Sequence, residues 1–305
     1  MRAVVIDDFG AVPAVREVPE PVVGPGEVKV QVRGSSVNQF DTMLAAGFLK
    51  GMYEHVFPIT LGQDFSGVVT EIGEGDTDFA VGDKVFGVVG KSRLTDGGGY
   101  AEYLTTAATH GIAKIPDGVD WATAGVLGLA GAAAAASVNA LGDMSGKTVL
   151  VSGATGGVGA HAVQLVVAGG ATVIATATPG TETEHVLGLG AQHAVDHRGD
   201  LAAQVKELAP NGVDSVVHLA GDGPSLADLL VDGGHIVSPA HLTQEQMGDR
   251  NVKVTAVMAT PTRPVLDQIA RNRVAIAHTY SFNEVAAAFT ALKAGVIGKL
   301  AISID

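Results

Sequence analysis

A glycine-rich turn between an apolar strand and an alanine-rich helix constrains the fold of this chain more than any other feature. The apolar stretch covers residues 148–152, and the turn at 153–159 reads Gly-Ala-Thr-Gly-Gly-Val-Gly. This is a dinucleotide fingerprint whose first glycine is replaced by alanine. Its glycines allow the backbone to approach a pyrophosphate, and the helix amino terminus offers free N–H groups. We therefore expect cofactor contacts from Ala154, Thr155, Gly156, Gly157, Val158 and Gly159.

The segments around this turn alternate between apolar strands and helical patterns. We predict strands at 148–152, 172–177, 194–196, 215–219, 235–238 and 253–258, and helices at 160–168, 201–208 and 226–230. Such alternation predicts a parallel sheet with helices on both faces. An isolated tight turn would explain the fingerprint alone, but not the repeated alternation. We expect a Rossmann doubly wound domain over residues 119–272.

The two ends of the chain have a different texture. Residues 1–118 are rich in Val, Gly and Pro, and the stretch 27–32 alternates polar and apolar residues. This period of two, bounded by glycine and proline, is typical of half-buried antiparallel strands. The last residues show a helical pattern at 285–293 and a strand at 300–304, and we assign 273–305 to the first domain.

Composition excludes several classes of protein. The 305 residues include no cysteine, which excludes disulfides, thiolate zinc sites and cysteine nucleophiles. A formal charge of −13 argues against a broad nucleic-acid surface. No apolar run reaches the roughly 20 residues of a membrane helix, and the amino terminus lacks a secretory pattern. We expect a soluble cytoplasmic protein without nucleic-acid or membrane partners.

The end of the second Rossmann strand bears on the choice of cofactor. NAD sites usually place an acidic residue there to bind the ribose 2′-hydroxyl, and this chain has Ala177. Thr176, Thr178 and Thr181 offer hydroxyl groups to a 2′-phosphate. The sequence shows no nearby Lys or Arg, and His185 is the nearest possible cation. We favour NADP(H) over NAD(H).

Short motifs along the whole chain carry a family resemblance. They lie at 25–28 (Pro-Gly-Glu-Val), 38–41 (Asn-Gln-Phe-Asp), 62–67 (Gly-Gln-Asp-Phe-Ser-Gly), 81–85 (Val-Gly-Asp-Lys-Val) and in the fingerprint, with support from 98–103 and 298–299. The chain resembles the medium-chain dehydrogenase/reductase superfamily. The resemblance implies an α/β fold class, with a GroES-like β domain beside the Rossmann domain, and a homodimer.

Two substitutions separate this chain from the zinc enzymes of that superfamily. Zinc alcohol dehydrogenases have a Cys-x-x-Asp motif and a Gly-His-Glu motif that supply metal ligands. Here Asn38 replaces the cysteine and Gln63 replaces the histidine, and neither is a good zinc ligand. We therefore expect no catalytic metal.

The remaining resemblance is to the zinc-free quinone oxidoreductase branch, which keeps Asn38 and Asp41. It implies hydride transfer from the nicotinamide to a quinone or to the β-carbon of an α,β-unsaturated carbonyl compound. Asn38 is the candidate for polarising the substrate oxygen, with Gln63 beside it. Asp41 and Asp64 are expected to hold loops and shape the site.

Three departures from the branch pattern point to a more apolar pocket. Met43 replaces a common tyrosine, Ala45 a common basic residue, and Ala133 a common threonine. Tyr53 is a candidate hydrogen-bond donor in place of the phenol missing at Met43.

The resemblance also implies further cofactor contacts near the ends of later strands. These are His218, Leu219 and Ala220 after the fourth strand, Ser238 after the fifth, Val257 and Met258 after the sixth, and Lys299 near the cofactor ribose or pyrophosphate. We expect His218 to pack and hydrogen-bond rather than to exchange protons with the substrate.

Two alternatives to a quinone or enone reductase stay open. One is a carbonyl or enoyl-thioester reductase of the same superfamily, although no wide basic rim for a coenzyme A phosphate is visible. The other is a non-catalytic NADPH-binding sensor or structural protein, which the departures at Met43, Ala45 and Ala133 allow.

Overall fold

A computed structural model describes residues 1–52, 54–75, 77–90 and 97–304, which form two compact units. The first unit comprises Met1–Leu129 together with Pro261–Asp305, and the second comprises Ala130–Thr260. Across the described residues, no helix is long and apolar enough to cross a membrane.

The amino-terminal part of the first unit is built mainly from antiparallel strands. The strands are β1 (Arg2–Ile6), β2 (Ala14–Glu17), β3 (Glu27–Val37), β4 (Ile59–Thr60), β5 (Asp64–Ile72), β6 (Lys84–Val88), β7 (Tyr103–Ala107) and β8 (Ile112–Lys114). The helices are α1 (Gln39–Ala45), α2 (Trp121–Gly125) and α3 (Gly128–Asn139), whose later residues belong to the second unit. In β3, Val28, Val30 and Val32 are buried, whereas the residues between them are less so. The period-two prediction for this strand is confirmed.

The second unit is a parallel sheet with helices between its strands. Its elements are β9 (Thr148–Ser152), α4 (Gly157–Ala168), β10 (Thr172–Thr176), α5 (Thr181–Gly188), β11 (His193–Val195), α6 (Leu201–Leu208), β12 (Val213–His218), α7 (Gly223–Ala227), β13 (Leu230–Ser238) and β14 (Lys253–Ala256). The strand order is β11-β10-β9-β12-β13-β14, with every neighbouring pair parallel. This is the doubly wound Rossmann order, and the predicted fold class is confirmed.

The chain then returns to the first unit. The returning elements are α8 (Arg263–Ile269), β15 (Ile276–Ser281), α9 (Val285–Ala294) and β16 (Lys299–Ser303). β16 pairs antiparallel with β3, so the described strands of this sheet run β15-β16-β3-β5-β6-β8, and β7 also pairs with β3. Leu44 of α1, Phe65 of β5 and Phe289 of α9 belong to one buried cluster, so the returning segment completes the core.

The first unit is larger than the predicted domain at both breaks, for reasons of packing. It extends to Leu129 rather than to residue 118, and it resumes at Pro261 rather than at 273. The hydroxyl of Ser66 in β5 donates to the carbonyl of Trp121 at 2.7 Å, which fixes α2 to this unit. The carbonyl of Pro261 accepts a hydrogen bond from the amide of Gly111 at 2.9 Å.

The helix predicted at 226–230 is wrong in position. The structure has α7 at Gly223–Ala227, where the Asp222 side chain accepts from the amide of Ser225 and Pro224 stands in the first turn. Leu230 already begins β13. The leucines of this stretch gave a helical pattern, whereas the acidic cap and the proline set the true start.

Two glycines of the 62–67 motif are required by close backbone contacts. Gly62 has φ +96°, and a Cβ atom there would lie 2.6 Å from the Tyr100 ring. A Cβ atom on Gly67 would lie 2.1 Å from the carbonyl oxygen of Gln31 in β3. Only glycine allows β3 and β5 to approach at this point.

We therefore predict that Gly67→Ala destabilises the protein by roughly 3 kcal/mol, because the clash is with backbone that cannot move aside. Urea denaturation followed by circular dichroism measures the change. Gly188→Ala in α5 is the matched control, since its Cβ atom would meet nothing within 4 Å, and we expect its stability to be unchanged or slightly raised. Equal stability of Gly67→Ala and wild type would contradict this reading of the strand pair.

Candidate active site

Asn38 lies where β3 passes into α1, between two neighbouring strands. The register of β16 against β3 pairs Leu300 with Val37, which brings Lys299 beside Asn38. On the other side of β3 lies β5, whose first residue is Asp64. Strand pairing thus brings an amide, an ammonium group and a carboxylate together from three separate parts of the chain.

The Asn38 side chain is held at both ends of its amide. Its Nδ2 donates to Asp64 Oδ2 at 2.8 Å, and Lys299 Nζ donates to its Oδ1 at 2.5 Å. A lysine ammonium can only donate and an ionised carboxylate can only accept, so this orientation of the amide is the one that satisfies both partners. Asn38 is 8% exposed and keeps one N–H that no described group accepts.

Asp64 is fully buried and is the acceptor around which these groups are arranged. Its Oδ2 accepts from the Ser36 hydroxyl as well as from Asn38, and its Oδ1 accepts from the amide of Leu129 at 2.6 Å. Lys299 Nζ lies 3.6 Å from Oδ2. Several donors and one cation therefore compensate the burial of this charge. Ser36 was not a candidate in the sequence, because no motif marks it.

Asp41 lies close to Asn38, and its environment differs from that of Asp64. Its Oδ2 accepts from the backbone amide of Asn38 at 2.8 Å and lies 3.2 Å from the Tyr100 hydroxyl, whereas its Oδ1 is buried without a partner. Burial, with a smaller contribution from the charge of Asp64, raises the pKa of Asp41 from 3.8 to about 7.

The hydrogen bonds of Tyr100 agree with a protonated Asp41. The tyrosine hydroxyl lies 3.0 Å from the carbonyl of Ser36, which can only accept. The tyrosine hydroxyl therefore donates its only proton to the Ser36 carbonyl. In its contact with Asp41 the phenolic oxygen then accepts, which requires a protonated Asp41 carboxyl group as the donor. Burial raises the pKa of Tyr100 well above 10, so its hydroxyl stays protonated.

Gln63 and Asn38 differ in how much of their amide is already used. Gln63 is 6% exposed, and among the described residues its side-chain amide has no hydrogen-bond partner. Its backbone carbonyl accepts from the amide of Val89 at 2.8 Å, which fixes the residue in place. The pair thus supplies one remaining Asn38 N–H and an uncommitted Gln63 amide.

The other predicted pocket residues of this unit have separate outcomes. Met43 is half-buried and packs against the core cluster, and Ala45 is buried within it, so neither lies free on the surface. Tyr53 lies outside the described residues, and its predicted donor role stays a prediction.

Lys299 has partners other than the predicted cofactor. Besides Asn38, its ammonium group donates to the carbonyl of Val37 at 2.9 Å, and the residue is 5% exposed. Burial lowers the pKa of Lys299, and the charges of Asp64 and Asp41 oppose that shift. The predicted cofactor contact stays a prediction, and the observed contacts assign this side chain to Asn38 and Asp64.

The fingerprint turn in the second unit leaves open space at one of its glycines and is tightly packed at another. Gly156 precedes α4 with no side-chain cap, and a Cβ atom there would meet only Gly153 O at 3.7 Å, which leaves open space. A Cβ atom on Gly159 would lie 2.3 Å from that same carbonyl. Gly156 therefore leaves room for a phosphate, and Gly159 permits close packing of α4 on the turn.

Two hydroxyl groups make hydrogen bonds beside this turn. Thr176 Oγ1, at the end of β10, accepts from the amide of Gly153 at 2.9 Å. Ser152 Oγ accepts from the amides of Leu219 and Ala220 at 3.1 and 3.4 Å. Thr176 was predicted to bind cofactor and here holds the turn, whereas Ser152 was missed because it lies inside the apolar strand.

The first turn of α5, which follows β10, contains a carboxylate that the sequence reasoning did not consider. Ala177 is buried, and the amide of Thr178 donates to Glu182 Oε2 at 2.7 Å. Partial burial opposes the shift, but the Thr178 hydrogen bonds and the charges of His197 and Arg198 lower the pKa of Glu182. Thr181, predicted to contact a 2′-phosphate, is the exposed first residue of α5. The expectation of no nearby basic residue is corrected, because Arg198 follows the next strand.

His218 is engaged at both ring nitrogens. Nε2 lies 3.0 Å from the carbonyl of Gly221, which can only accept, so this nitrogen donates. Nδ1 lies 2.9 Å from the Ser238 hydroxyl, and Ser238 Oγ accepts from the amide of Ala240. The contacts agree with the expected packing role. The remaining predicted positions are Leu219, half-buried, and Ala220, exposed, both after β12, and Val257, half-buried, and Met258, 74% exposed, both after β14.

No group of three or more His, Cys, Asp or Glu side chains in the described parts of the chain is arranged to hold a metal ion. The Asn38 carbonyl oxygen is bonded to the Lys299 ammonium group.

Known families match both units. The alcohol dehydrogenase GroES-like domain matches residues 24–117, and the zinc-binding dehydrogenase domain matches residues 157–260. A chloroplastic quinone oxidoreductase of Triphysaria versicolor is 35% identical over 234 residues, which are 73% of this chain and 69% of that protein. The chain belongs to the quinone oxidoreductase branch of the medium-chain dehydrogenase/reductase superfamily.

Other similar proteins differ widely in length. The solved quinone oxidoreductase of Coxiella burnetii superposes with a TM-score of 0.88 at 27% identity, covering 100% of this chain and 99% of that one. The phthioceranic/hydroxyphthioceranic acid synthase of Mycobacterium tuberculosis is 35% identical over 209 residues, or 68% of this chain. This match spans only 9% of the synthase, so the similarity concerns one small part of a much longer protein.

The raised pKa of Asp41 predicts a pH-dependent stability. Folded protein keeps a proton that the unfolded chain releases between pH 4 and pH 7, so the free energy of unfolding falls as pH rises through this range. We expect a fall on the order of 3 kcal/mol from this group, which faces Asp64, Lys299 and Tyr100. An asparagine at this position does not titrate, so Asp41→Asn should lack this part of the fall in the free energy of unfolding.

The measurement is urea denaturation of both proteins at pH 5 to 8, read as the difference between them at each pH. That comparison cancels His185 and His235, whose pKa values are lowered by burial and whose contribution has the opposite sign. The exposed Asp249→Asn is the control and should retain the wild-type fall. A constant difference between wild type and Asp41→Asn would exclude the protonation of Asp41.

Proposed function

We propose that this oxidoreductase transfers a hydride, without zinc, from NADPH to a quinone or to the β-carbon of an α,β-unsaturated carbonyl compound. The observation that carries the proposal is the Asn38 amide, held by Asp64 and Lys299 with one N–H uncommitted. It stands where the zinc branch has a metal-binding cysteine. A fixed amide donor is suited to a substrate oxygen that gains negative charge.

The residues of the two units have separate tasks in this proposal. The turn from Ala154 to Gly159 and the start of α4 bind the pyrophosphate through backbone N–H groups. Bound nicotinamide supplies the hydride. Asn38 and Gln63 donate hydrogen bonds to the substrate oxygen, and Asp64 and Lys299 keep Asn38 oriented. The buried Asp41 is not needed as an acid, because an enolate or hydroquinone anion can take its proton from water.

The charges around Asn38 support zinc independence. A zinc ion needs lone pairs on its ligands and repels other cations, and Asn38 Oδ1 already accepts from a cation, the Lys299 ammonium group. Asp64 is already bonded to Ser36, Asn38 and Leu129. A divalent cation here would displace these bonds and meet the charge of Lys299.

The choice of NADPH rests on the loop after β10. Ala177 offers no carboxylate at the strand end, and Arg198 supplies positive charge near Glu182. Glu182 acts in the opposite direction, because an ionised carboxylate repels a 2′-phosphate. The alternative is that Glu182 binds a ribose hydroxyl group and the enzyme uses NADH.

An enoyl-thioester reductase is the second candidate function. The similarity does not favour quinone reduction over it, since the 35% identity to a segment of the mycobacterial acid synthase equals that to the quinone oxidoreductase of Triphysaria versicolor. Both reactions place negative charge on a carbonyl oxygen, and the donors at Asn38 and Gln63 would serve either. A sensor without activity is excluded by steady oxidation of NADPH with any acceptor.

The first test follows NADPH oxidation at the nicotinamide absorbance with 1,4-benzoquinone, a simple enone and an enoyl thioester. We expect turnover with the quinone or the enone, and a loss of kcat of about 100-fold in Asn38→Ala, because one donor to an oxyanion is removed. Asn211→Ala, an exposed asparagine, is the matched control and should keep wild-type kcat. Turnover of the thioester alone would replace the proposed substrate class. Tight NADPH binding without turnover of any acceptor would favour the sensor.

The second test concerns cofactor choice. We expect Glu182→Gln to raise kcat/KM for NADPH by about fivefold and to leave that for NADH unchanged, because a like charge near the 2′-phosphate is removed while the Thr178 amide keeps an acceptor. Glu184→Gln, an exposed residue of the same helix, is the control. A lower kcat/KM for NADH without a higher kcat/KM for NADPH would show that Glu182 binds the ribose hydroxyl group.

A further inference from the structure

Lys299 is a buried cation whose nearest partners are neutral oxygen atoms. Its ammonium group donates to Asn38 Oδ1 and Val37 O, and it reaches Asp64 Oδ2 only at 3.6 Å. A buried ammonium group loses its hydration, and a closer ion pair with Asp64 would compensate that loss better. The position of the charge is therefore explained better by Asn38 than by the ion pair alone.

We propose that Lys299 is a positioning residue that acts through Asn38, orienting its amide and strengthening its free N–H as a donor to the substrate oxygen. This inference rests on the proposed function.

Two effects follow from this arrangement. A cation bonded to an amide oxygen withdraws electron density from the amide, so the remaining N–H becomes a stronger donor. Lys299 also balances Asp64, whose negative charge would otherwise repel the charge that develops on a substrate oxygen bonded to Asn38. Asp64 alone would fix the amide but weaken its use as a donor.

A merely structural role predicts something different. In that case Lys299 only ties β16 to β3, and its loss would lower stability and activity whether or not Asn38 is present. Action through Asn38 predicts that the loss of activity depends on Asn38. A double-mutant cycle separates the two possibilities.

The experiment measures kcat and KM for quinone reduction with NADPH in wild type, Lys299→Met, Asn38→Ala and the double variant. We expect Lys299→Met to lower kcat about tenfold with little change in the KM for NADPH. In the Asn38→Ala background the same substitution should change kcat by less than about twofold. Lys299→Gln, which can still donate to Oδ1 but carries no charge, should be intermediate. Lys293→Met, an exposed lysine at the end of α9, should match wild type.

Equal losses from Lys299→Met in both backgrounds would overturn the proposal. If Lys299→Met does not fold, Lys299→Gln takes its place in the cycle and the same criterion applies.

A second readout does not depend on turnover. In protein labelled with 15N-asparagine, the Asn38 side-chain NH2 signals are assigned by their absence in Asn38→Ala. We expect them to shift in Lys299→Gln more than those of any other asparagine. Unmoved signals would overturn the inference even in an active enzyme. Moved signals in a protein that reduces no acceptor would keep the positioning role and reject the proposed function instead.

Discussion

The buried carboxylate of Asp64 is the group on which the arrangement of the first unit depends. It accepts hydrogen bonds from Ser36 on β3, from Asn38 just after that strand and from the amide of Leu129 at the start of α3, and it faces Lys299 on β16. An ionised group without these partners would cost several kcal/mol to bury. The geometry of Asn38 is a consequence of satisfying that charge, so the chemistry of the site and the folding of the unit share one requirement.

Two kinds of sequence pattern predicted much of the fold and the candidate site: the periodicity of apolar residues, and unusual residues at positions known from the family. The alternation at 27–32 and the apolar stretches after the fingerprint each report local burial, which the sequence displays directly. Asn38 and Gln63 were found because they stand at positions with known chemistry in the family. The helix prediction at 226–230 was wrong because the leucines there have a helical spacing, whereas Asp222 and Pro224 determine where the helix starts.

The partners of the candidate residues could not be predicted in the same way. Lys299 and Asn38 are 261 positions apart, and only the register between β16 and β3 brings them together. Arg198 approaches Glu182 because two parallel strands end at the same edge of the sheet. No local pattern encodes such pairings. For this reason Lys299 was predicted to contact the cofactor, and Glu182 was overlooked.

The discontinuity of the first unit has a consequence for how the protein is made. The second unit is one continuous stretch, Ala130–Thr260, whereas the first needs the segment after Pro261 to cover β3 and to supply Lys299. During translation the second unit can therefore reach its native state first. At that stage β3 still lacks its pairing with β16, and Asp64 still lacks its counter-ion Lys299. Vectorial synthesis thus delays the hydrogen bond between Lys299 and Asn38 until the segment after Pro261 has been made.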